Sequence, residues 1–429
     1  MALAAVTAAG LVGTAAGTVE AQAETALTCT GALPNQLPPK HPGPLRFGIG
    51  PHVQAGQAAG AGAPAVPEDR SRQISNLRLL AGSRPFVLRL TRIFWPDTPE
   101  QQQQLAGEVA TYSGAGFLLE FQLRYHPATQ AGGDPAAFAT WVAGIVHAYD
   151  SNPALVSVQV TNEVNFQSSP DSSDGYYAGS RDALIQGVEN AKQQAQADGS
   201  AVRIGFNWAY RSDPASEQSF WSYLHDHGGE ALVAATDWVG LDAYPGTFFP
   251  PAESGQTGFY NGMVNALSQL RDCFMPAGGF PAATPIYIEE TGYPTEPGSR
   301  PPRTQVEAVN GLVTAALDYA GPQGYNVTDL RWFNLRDANS ADPNFQQHFG
   351  LMYSDYTPKP AFAAYQRLVS GLRPDEAATA AAPRPAPASP SALPFTAGAR
   401  PGWAGTGLCA VAALLIIAGL AVSRMHRLR

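Results

Sequence analysis

The segment Pro285–Pro294, PIYIEETGYP, decides how the rest of the chain is interpreted. Its β-branched and aromatic residues predict a short buried strand that stops on the carboxylate pair Glu289–Glu290, just before Gly292. An earlier stretch, Leu155–Asn165 (LVSVQVTNEVN), has the same form and delivers Asn162–Glu163. Barrel enzymes place catalytic groups where strands end at their carboxyl edge. Both stretches are therefore candidates for parts of one site.

Strand-like and helix-like runs alternate eight times between Leu45 and Leu372. The clearest helix begins at Asp134–Pro135, a capping residue followed by proline at the first helical position. Eight such units with no change of composition predict a single (β/α)8 barrel, a TIM barrel of the α/β class, over residues 45–372. A doubly wound nucleotide-binding sheet is the alternative. It is rejected because Gly48–Gly50 leads into Pro-His-Val rather than into a helix.

Amino-acid composition and net charge limit the classes of partner that the chain can bind. The chain of 429 residues is 45% hydrophobic and 14% charged, with 43 Gly and 37 Pro, which indicates a large core with turn-rich or flexible ends. The net charge is −9, and basic residues cluster only at the extreme C-terminus. A nucleic-acid partner is therefore not expected.

The N-terminus is typical of a secretory signal. Residues 1–23 are small and apolar and close with Ala21-Gln-Ala23, the small-residue pattern of a cleavage site. The basic residues that usually open such a signal are missing, which leaves the true translation start open. Residues 24–44 are interpreted as an N-terminal extension that precedes the barrel. Export is the prediction.

The C-terminus predicts surface attachment. Residues 373–402 are a Pro/Ala-rich linker, residues 403–423 are apolar enough for a transmembrane helix, and residues 424–429 form a basic cytoplasmic tail. The LPFTA motif, Leu393–Ala397, followed by the apolar span and basic tail, resembles a sortase cell-wall sorting signal, with Ala397 where that signal has Gly. Sortase and peptidoglycan are the implied partners. A retained membrane anchor satisfies the same pattern.

The three cysteines differ by location. Cys409 lies inside the predicted membrane span, where it is interpreted as a small apolar residue. Cys29 and Cys273 both lie in the exported part, where an oxidising environment permits pairing. A Cys29–Cys273 disulfide is favoured slightly over two free thiols.

Two glutamates at the ends of barrel strands suit glycoside hydrolysis with retention, which needs carboxyl groups about 5–5.5 Å apart. The chain resembles the clan A glycoside hydrolases from Leu45 to Leu372. The resemblance implies that Glu163 is the acid/base and that Asn162 contacts the sugar. It implies Glu290 rather than Glu289 as nucleophile, because the family glutamate stands two residues before a glycine.

Further positions resemble the family's substrate contacts. These are Arg89 on the second strand, similar to the family arginine that supports the nucleophile, and His126 after the third, Tyr244 after the sixth and Trp332 on the eighth. The alternatives are that Arg89 pairs with a structural carboxylate and that Trp332 fills the barrel. Phe349–Pro360 resembles the segment leading into the family's last helix. A lone glutamate after a strand is usually a solvated loop residue, but these residues in this order favour catalysis.

A metal site is the competing chemistry, because His225 and His227 form an H-x-H pair. Metal ligands in barrels leave strand ends, whereas this pair ends a helix before Gly228, where histidine is favourable by itself. No metal and no cofactor are expected. The prediction is an exported, surface-attached, retaining β-glycosidase. A non-catalytic carbohydrate-binding or adhesion protein is the alternative. The sugar, endo or exo action, and hydrolysis or transglycosylation stay open.

Overall fold

Eight parallel strands form a closed barrel in which neighbours in the chain pair and the first strand pairs with the last. The computed structural model describes residues 37–53, 65–167, 172–210, 214–249 and 254–373. The strands are β1 (Arg46–Ile49), β2 (Phe86–Ile93), β3 (Leu118–Arg124), β4 (Leu155–Val160), β5 (Arg203–Ala209), β6 (Trp238–Asp242), β7 (Ile286–Thr291) and β8 (Val327–Trp332). The predicted (β/α)8 barrel is confirmed.

Helices follow the strands and surround them. Within the described ranges they are α1 (Arg70–Ala81), α2 (Pro99–Gly114), α3 (Pro135–Tyr149), α4 (Ser180–Ala197), α5 (Pro214–Ala235), α6 (Gly255–Gln269), α7 (Met275–Ala277), α8 (Pro302–Asp318) and α9 (Pro360–Val369). The predicted start of α3 is confirmed, since the Asp134 side chain accepts a hydrogen bond from the Ala137 amide at 2.9 Å. Such caps satisfy backbone donors that the first helical turn leaves free.

The hydrophobic core lies between the barrel and its helices. Leu88 and Leu90 on β2, and Phe121 and Leu123 on β3, are completely buried in it. Because strand side chains alternate, the residues between them face the barrel axis. Burying each large apolar side chain stabilises the fold by roughly 1.5–3 kcal/mol. This shell holds the strands in place around the axis.

The inside of the barrel is polar rather than aliphatic. The Arg331 guanidinium lies 2.9 Å from Glu120 and 2.8 Å from Asp329, and all three side chains are almost fully buried. Below them, the Tyr287 hydroxyl accepts a hydrogen bond from Arg203 at 2.9 Å. Buried charges are tolerated only when they are paired and hydrogen-bonded, so the interior constrains strand register as well as filling space.

Gly205 makes room for the largest interior side chain. The Trp238 indole stacks on the Tyr287 ring inside the barrel, with ring centroids 4.4 Å apart. A Cβ atom on Gly205 would lie 2.3 Å from Cδ2 of Trp238, closer than any tolerated contact. The glycine is therefore required by the close approach of the indole to β5.

The predicted terminal segments lie outside the described residues. They are the signal peptide, the linker with its LPFTA motif, the transmembrane helix and the basic tail. All of the described residues belong to one structural unit. Across the described ranges, no helix combines the length and apolar character needed to cross a membrane.

Replacing Gly205 by Ala is expected to lower the free energy of unfolding by about 1–3 kcal/mol, because the new methyl group overpacks against Trp238. Gly144 supplies the matched control, because it is exposed on α3 and a Cβ atom added there would have no neighbour within 4 Å. Gly144→Ala is expected to raise stability by roughly 0.5–1 kcal/mol through helix propensity. Urea denaturation of both variants measures the difference, and equal effects would contradict the packing explanation.

Candidate active site

A β-bulge in β7 turns two consecutive carboxylates into the barrel. Opposite β6, Leu241 pairs with Ile288 and the next residue, Asp242, pairs with Glu290, so that Glu289 is skipped. A bulge adds one residue to a strand and re-aims the side chains around it. Glu289 therefore lies inside the barrel, and Glu290 follows at its carboxyl edge.

Glu290 is held by two donors. The Arg89 guanidinium donates to Oε1 of Glu290 at 2.6 Å, and the Tyr244 hydroxyl donates to Oε2 at 2.7 Å. Burial, followed by the charge of Glu290, raises the pKa of Tyr244 well above its usual value, so the phenol keeps its proton. Arg89 also donates to Gln159 at 2.5 Å, which fixes the guanidinium plane. The carboxylate of Glu290 is thereby fixed in position and orientation.

Glu163 stands on a strained turn after β4. Thr161 and Glu163 have φ angles of 64° and 48°, in the left-handed region that non-glycine residues seldom occupy. The Glu163 amide donates to the side-chain oxygen of Asn207 at 2.9 Å. Asn162 lies between the two strained residues, and its side-chain oxygen accepts from Asn207 at 2.8 Å. Such strain persists only where surrounding contacts hold it, which is common at functional sites.

Asp174 is the acceptor that holds this turn. Its buried carboxylate accepts from the backbone amides of Asn162 at 2.8 Å and Tyr125 at 2.7 Å, and it pairs with Arg124 at 3.0 Å. Burial raises the pKa of Asp174 to about 6, against the lowering effect of Arg124 and the two amides. At neutral pH the group is therefore a carboxylate that links the ends of β3 and β4.

The turn and the bulge bring the two glutamates together. One carboxylate oxygen each from Glu163, Glu290 and Asp242 lie within 4.8 Å of one another. Carboxyl groups about 5–5.5 Å apart suit attack by one and protonation by the other, whereas inverting enzymes need about 6.5–9.5 Å. The short oxygen–oxygen distance fits the smaller of these two spacings.

Glu289 belongs to the layer below. It is 1% exposed, and its carboxylate lies 3.3 Å from Nε of Arg89. Burial, followed by the neighbouring Glu120, raises the pKa of Glu289 well above its usual value. Glu120 is also buried, but Arg331 lowers its pKa to about 2. Of the consecutive pair, Glu290 is thus the one placed beside Glu163.

Three of the other predicted substrate contacts lie in different parts of the barrel mouth. Arg89 and Tyr244 contact Glu290 directly, as described above. His126 lies at the rim after β3, where its ring packs edge-to-face on Tyr177 with centroids 4.6 Å apart. This position borders the loop that holds Asn162.

The placement predicted for Trp332 is wrong. Its side chain is completely buried and packs on Tyr365 of α9, outside the barrel. Arg331 faces the axis, so strand alternation points Trp332 toward the helices. The next residue, Phe333, is half-buried and packs near Tyr244, with ring centroids 6.2 Å apart. The aromatic side chain beside the site is therefore Phe333.

Two groups of described residues have the spacing of metal ligands, namely the three carboxylates above and His147, Asp150 and Asp198 on the surface. At the first group, Arg89 already supplies a positive charge against Glu290.

His225 and His227 are exposed on α5, in the turn before Gly229, whose φ of 51° interrupts the helix. This agrees with the predicted helix end.

Cys273 is disulfide-bonded. Cys29 and Cys409 both lie outside the described residues, so the Cys29–Cys273 pairing stays a prediction.

Sequence reasoning missed two residues of this site. Asp242 could have been found, because it ends β6 two residues before Tyr244 and strand alternation from Gly240 points it inward. Asp174 gives no signal in the sequence, since it lies in a loop well beyond the strained Glu163 turn and acts through backbone contacts.

Comparison with known proteins finds no matching family model. The probable glucan endo-1,3-beta-glucosidase eglC of Aspergillus oryzae is 29% identical over 156 residues, which cover 36% of this chain and 30% of that protein. The matched part thus spans less than a third of that fungal relative.

Solved structures share the fold. A family 39 glycoside hydrolase from Bacteroides cellulosilyticus WH2 aligns over 77% of this chain and 64% of its own, with a TM-score of 0.52 and 14% identity. A family 1 β-glucosidase from Thermotoga maritima aligns over 79% and 100%, with a TM-score of 0.51 and 14% identity. The barrel is thus of a type found in glycoside hydrolases.

Asp174→Ala is expected to lower the free energy of unfolding by about 3–5 kcal/mol, because it removes the carboxylate that pairs with buried Arg124 and accepts from two backbone amides. Asp182 is the control, since its carboxylate accepts one hydrogen bond, from the Tyr223 hydroxyl at 2.6 Å. Asp182→Ala should cost about 1 kcal/mol. Urea denaturation at pH 7 compares them. A loss no larger than that of the control would show that Asp174 does not hold the turn.

Proposed function

We propose that this protein is a retaining glycosidase that cleaves β-glycosidic bonds by double displacement. The observation that supports the proposal most directly is the separation of the Glu163 and Glu290 carboxylate oxygens, within 4.8 Å. This short spacing suits the retaining reaction, whereas inversion needs a wider gap that holds a water molecule. The resemblance to clan A and the glycosidase relatives point to the same chemistry.

In the first step, the Glu290 carboxylate attacks the anomeric carbon while Glu163 transfers its proton to the leaving oxygen. Arg89 and Tyr244 aim the attacking oxygen by holding Glu290 from two sides. In the second step, Glu163 removes a proton from water, and the resulting hydroxide displaces Glu290 from the sugar. The sugar keeps its anomeric configuration.

A β-1,3-glucan is the proposed substrate class. The support comes from the name of the fungal relatives, probable glucan endo-1,3-beta-glucosidase. The described rim adds exposed aromatic side chains, Trp95 after β2 and Phe248 after β6, which can cover the apolar faces of sugar rings. Whether the enzyme cuts within chains or from their ends follows from the length of the first products.

Glu290→Gln is expected to abolish hydrolysis of laminarin, and Glu163→Gln to reduce it by about 10²–10⁴-fold, because one removes the nucleophile and the other the proton donor. Glu230→Gln, an exposed change on α5, is the control and should leave the rate unchanged. Proton NMR of the first products reports their anomeric configuration. Inverted products, or unchanged rates in both site variants, would refute the mechanism. Glucan binding without products would favour the carbohydrate-binding alternative.

We also propose that the protein is exported and attached to the cell surface. The support is the sequence of its two ends, the small-residue cleavage pattern before residue 24 and the LPFTA motif, apolar span and basic tail after residue 392. Deleting residues 393–429 is expected to move the protein from the cell-surface fraction into the medium. Immunoblots of fractionated cells measure this, and an unchanged distribution would count against attachment through the C-terminus.

A further inference from the structure

Asp242 is a third carboxyl group at the site, to which the resemblance assigns no role. It ends β6, is 2% exposed, and lies with one oxygen within 4.8 Å of oxygens from Glu163 and Glu290. Its Oδ2 accepts a hydrogen bond from the side-chain amide of Asn207. Its Oδ1 is buried and has no hydrogen-bond partner among the residues that the structure describes. A buried polar oxygen without a hydrogen-bond partner costs free energy, so its presence at this site calls for an explanation.

The charged groups around Asp242 come from three other strands. β7 contributes Glu290, the turn after β4 contributes Glu163, and β2 contributes Arg89, while Tyr244 lies just after the end of β6. Arg89 is the cation among these groups, and it is shared with the buried carboxyl groups of Glu289 and Glu120. Burial, followed by the charges of Glu290 and Glu163, raises the pKa of Asp242 well above its ordinary value. Like charges this close do not all ionise together, so protons remain on the group at neutral pH.

We propose that Asp242 is a positioning residue that keeps its proton throughout the reaction and donates it as a hydrogen bond to whichever glutamate carries the negative charge. The inference rests on the proposed retaining mechanism. Asn207 occupies Oδ2, so Oδ1 is the position left for the proton and for donation toward the glutamates.

The charge moves during the reaction while Asp242 stays neutral. Before attack, Glu290 is the carboxylate and Glu163 holds a proton. Bond formation to the sugar makes Glu290 an ester, and proton transfer to the leaving oxygen makes Glu163 the carboxylate. The three carboxyl groups thus carry one negative charge in both states, displaced from one glutamate to the other. Oxygens of Asp242 and of both glutamates lie within 4.8 Å of one another, so a small closure of the site would bring either glutamate into hydrogen-bond distance.

The first test needs no substrate. Infrared difference spectroscopy of the full chain at pH 7, wild type minus Asp242→Asn, is expected to show the carbonyl band of one protonated carboxyl group. The difference between wild type and Asp226→Asn, an exposed change on α5, should lack this band. A difference spectrum with only carboxylate bands for Asp242 would overturn the proposal.

The pH dependence of thermal unfolding is a second test of whether Asp242 is protonated in the folded protein. An acid whose pKa is raised by folding binds its proton more tightly in the folded state than in the unfolded chain. Such an acid therefore lowers the free energy of unfolding as pH rises above its pKa in the unfolded chain. Asp242→Asn removes that effect. The Tm gain of the variant over wild type is therefore expected to be larger at pH 8 than at pH 4. A gain that is equal at both pH values would contradict a retained proton.

Kinetics test the role in the reaction. Asp242→Ala removes the donor, and kcat is expected to fall about 10²-fold with little change in KM, as for loss of one preorganised donor. Asp242→Asn restores a neutral donor and should recover kcat to within about tenfold of wild type. Its alkaline limb of kcat/KM should stay where it is in wild type, because one neutral group replaces another. Asn behaving like Ala, or an alkaline limb lowered by a full pH unit, would overturn the positioning role.

The outcomes separate the two proposals. If wild type hydrolyses no β-glycoside, the proposed function fails, and the infrared and thermal results still decide whether Asp242 holds a proton. If wild type is active with retention, failure of the Asn rescue refutes the role of Asp242 alone.

Discussion

The contact between Arg89 and Glu290 is the constraint on which the site depends. A guanidinium that is 6% exposed is tolerated inside a barrel only when acidic and amide partners surround it. Arg89 reaches Glu290 on β7 and Gln159 on β4, so it links three strands at their carboxyl ends. Removing either side of the ion pair would leave the other charge buried. The arrangement therefore both ties the strands together and fixes the orientation of the Glu290 carboxylate, the proposed nucleophile.

Acids outnumber guanidinium groups around the site, and this decides where protons stay. Arg331 lowers the pKa of Glu120 to about 2, although burial opposes it. Glu289 and Asp242 lack an equally close cation, and burial followed by neighbouring carboxylates raises the pKa of each. The barrel thus holds charged and neutral carboxyl groups side by side. Environments that push similar groups apart in pKa are what acid–base chemistry requires.

Two backbone irregularities convert this charged interior into a site. The bulge in β7 presents Glu290 above Glu289, and the left-handed turn at Glu163 brings the second glutamate toward it. The aliphatic shell between strands and helices is what holds both irregular segments in place, together with Asp174 beneath the turn. The outward faces of the strands therefore carry the hydrophobic core, and their inward faces carry the residues of the site.

The sequence by itself determined the barrel and the two principal glutamates. Eight alternating units predict parallel strands whose carboxyl ends meet at one edge, so Glu163 and Glu290 could be placed together from their positions in strands. Only the tertiary structure decided the finer assignments. Arg331 points into the barrel, where it pairs with Glu120, so the next residue, Trp332, points outward. Phe333 then lies beside Tyr244. Asp242 and Asp174 gained their places through strand register and loop path, which depend on contacts between segments distant in the chain.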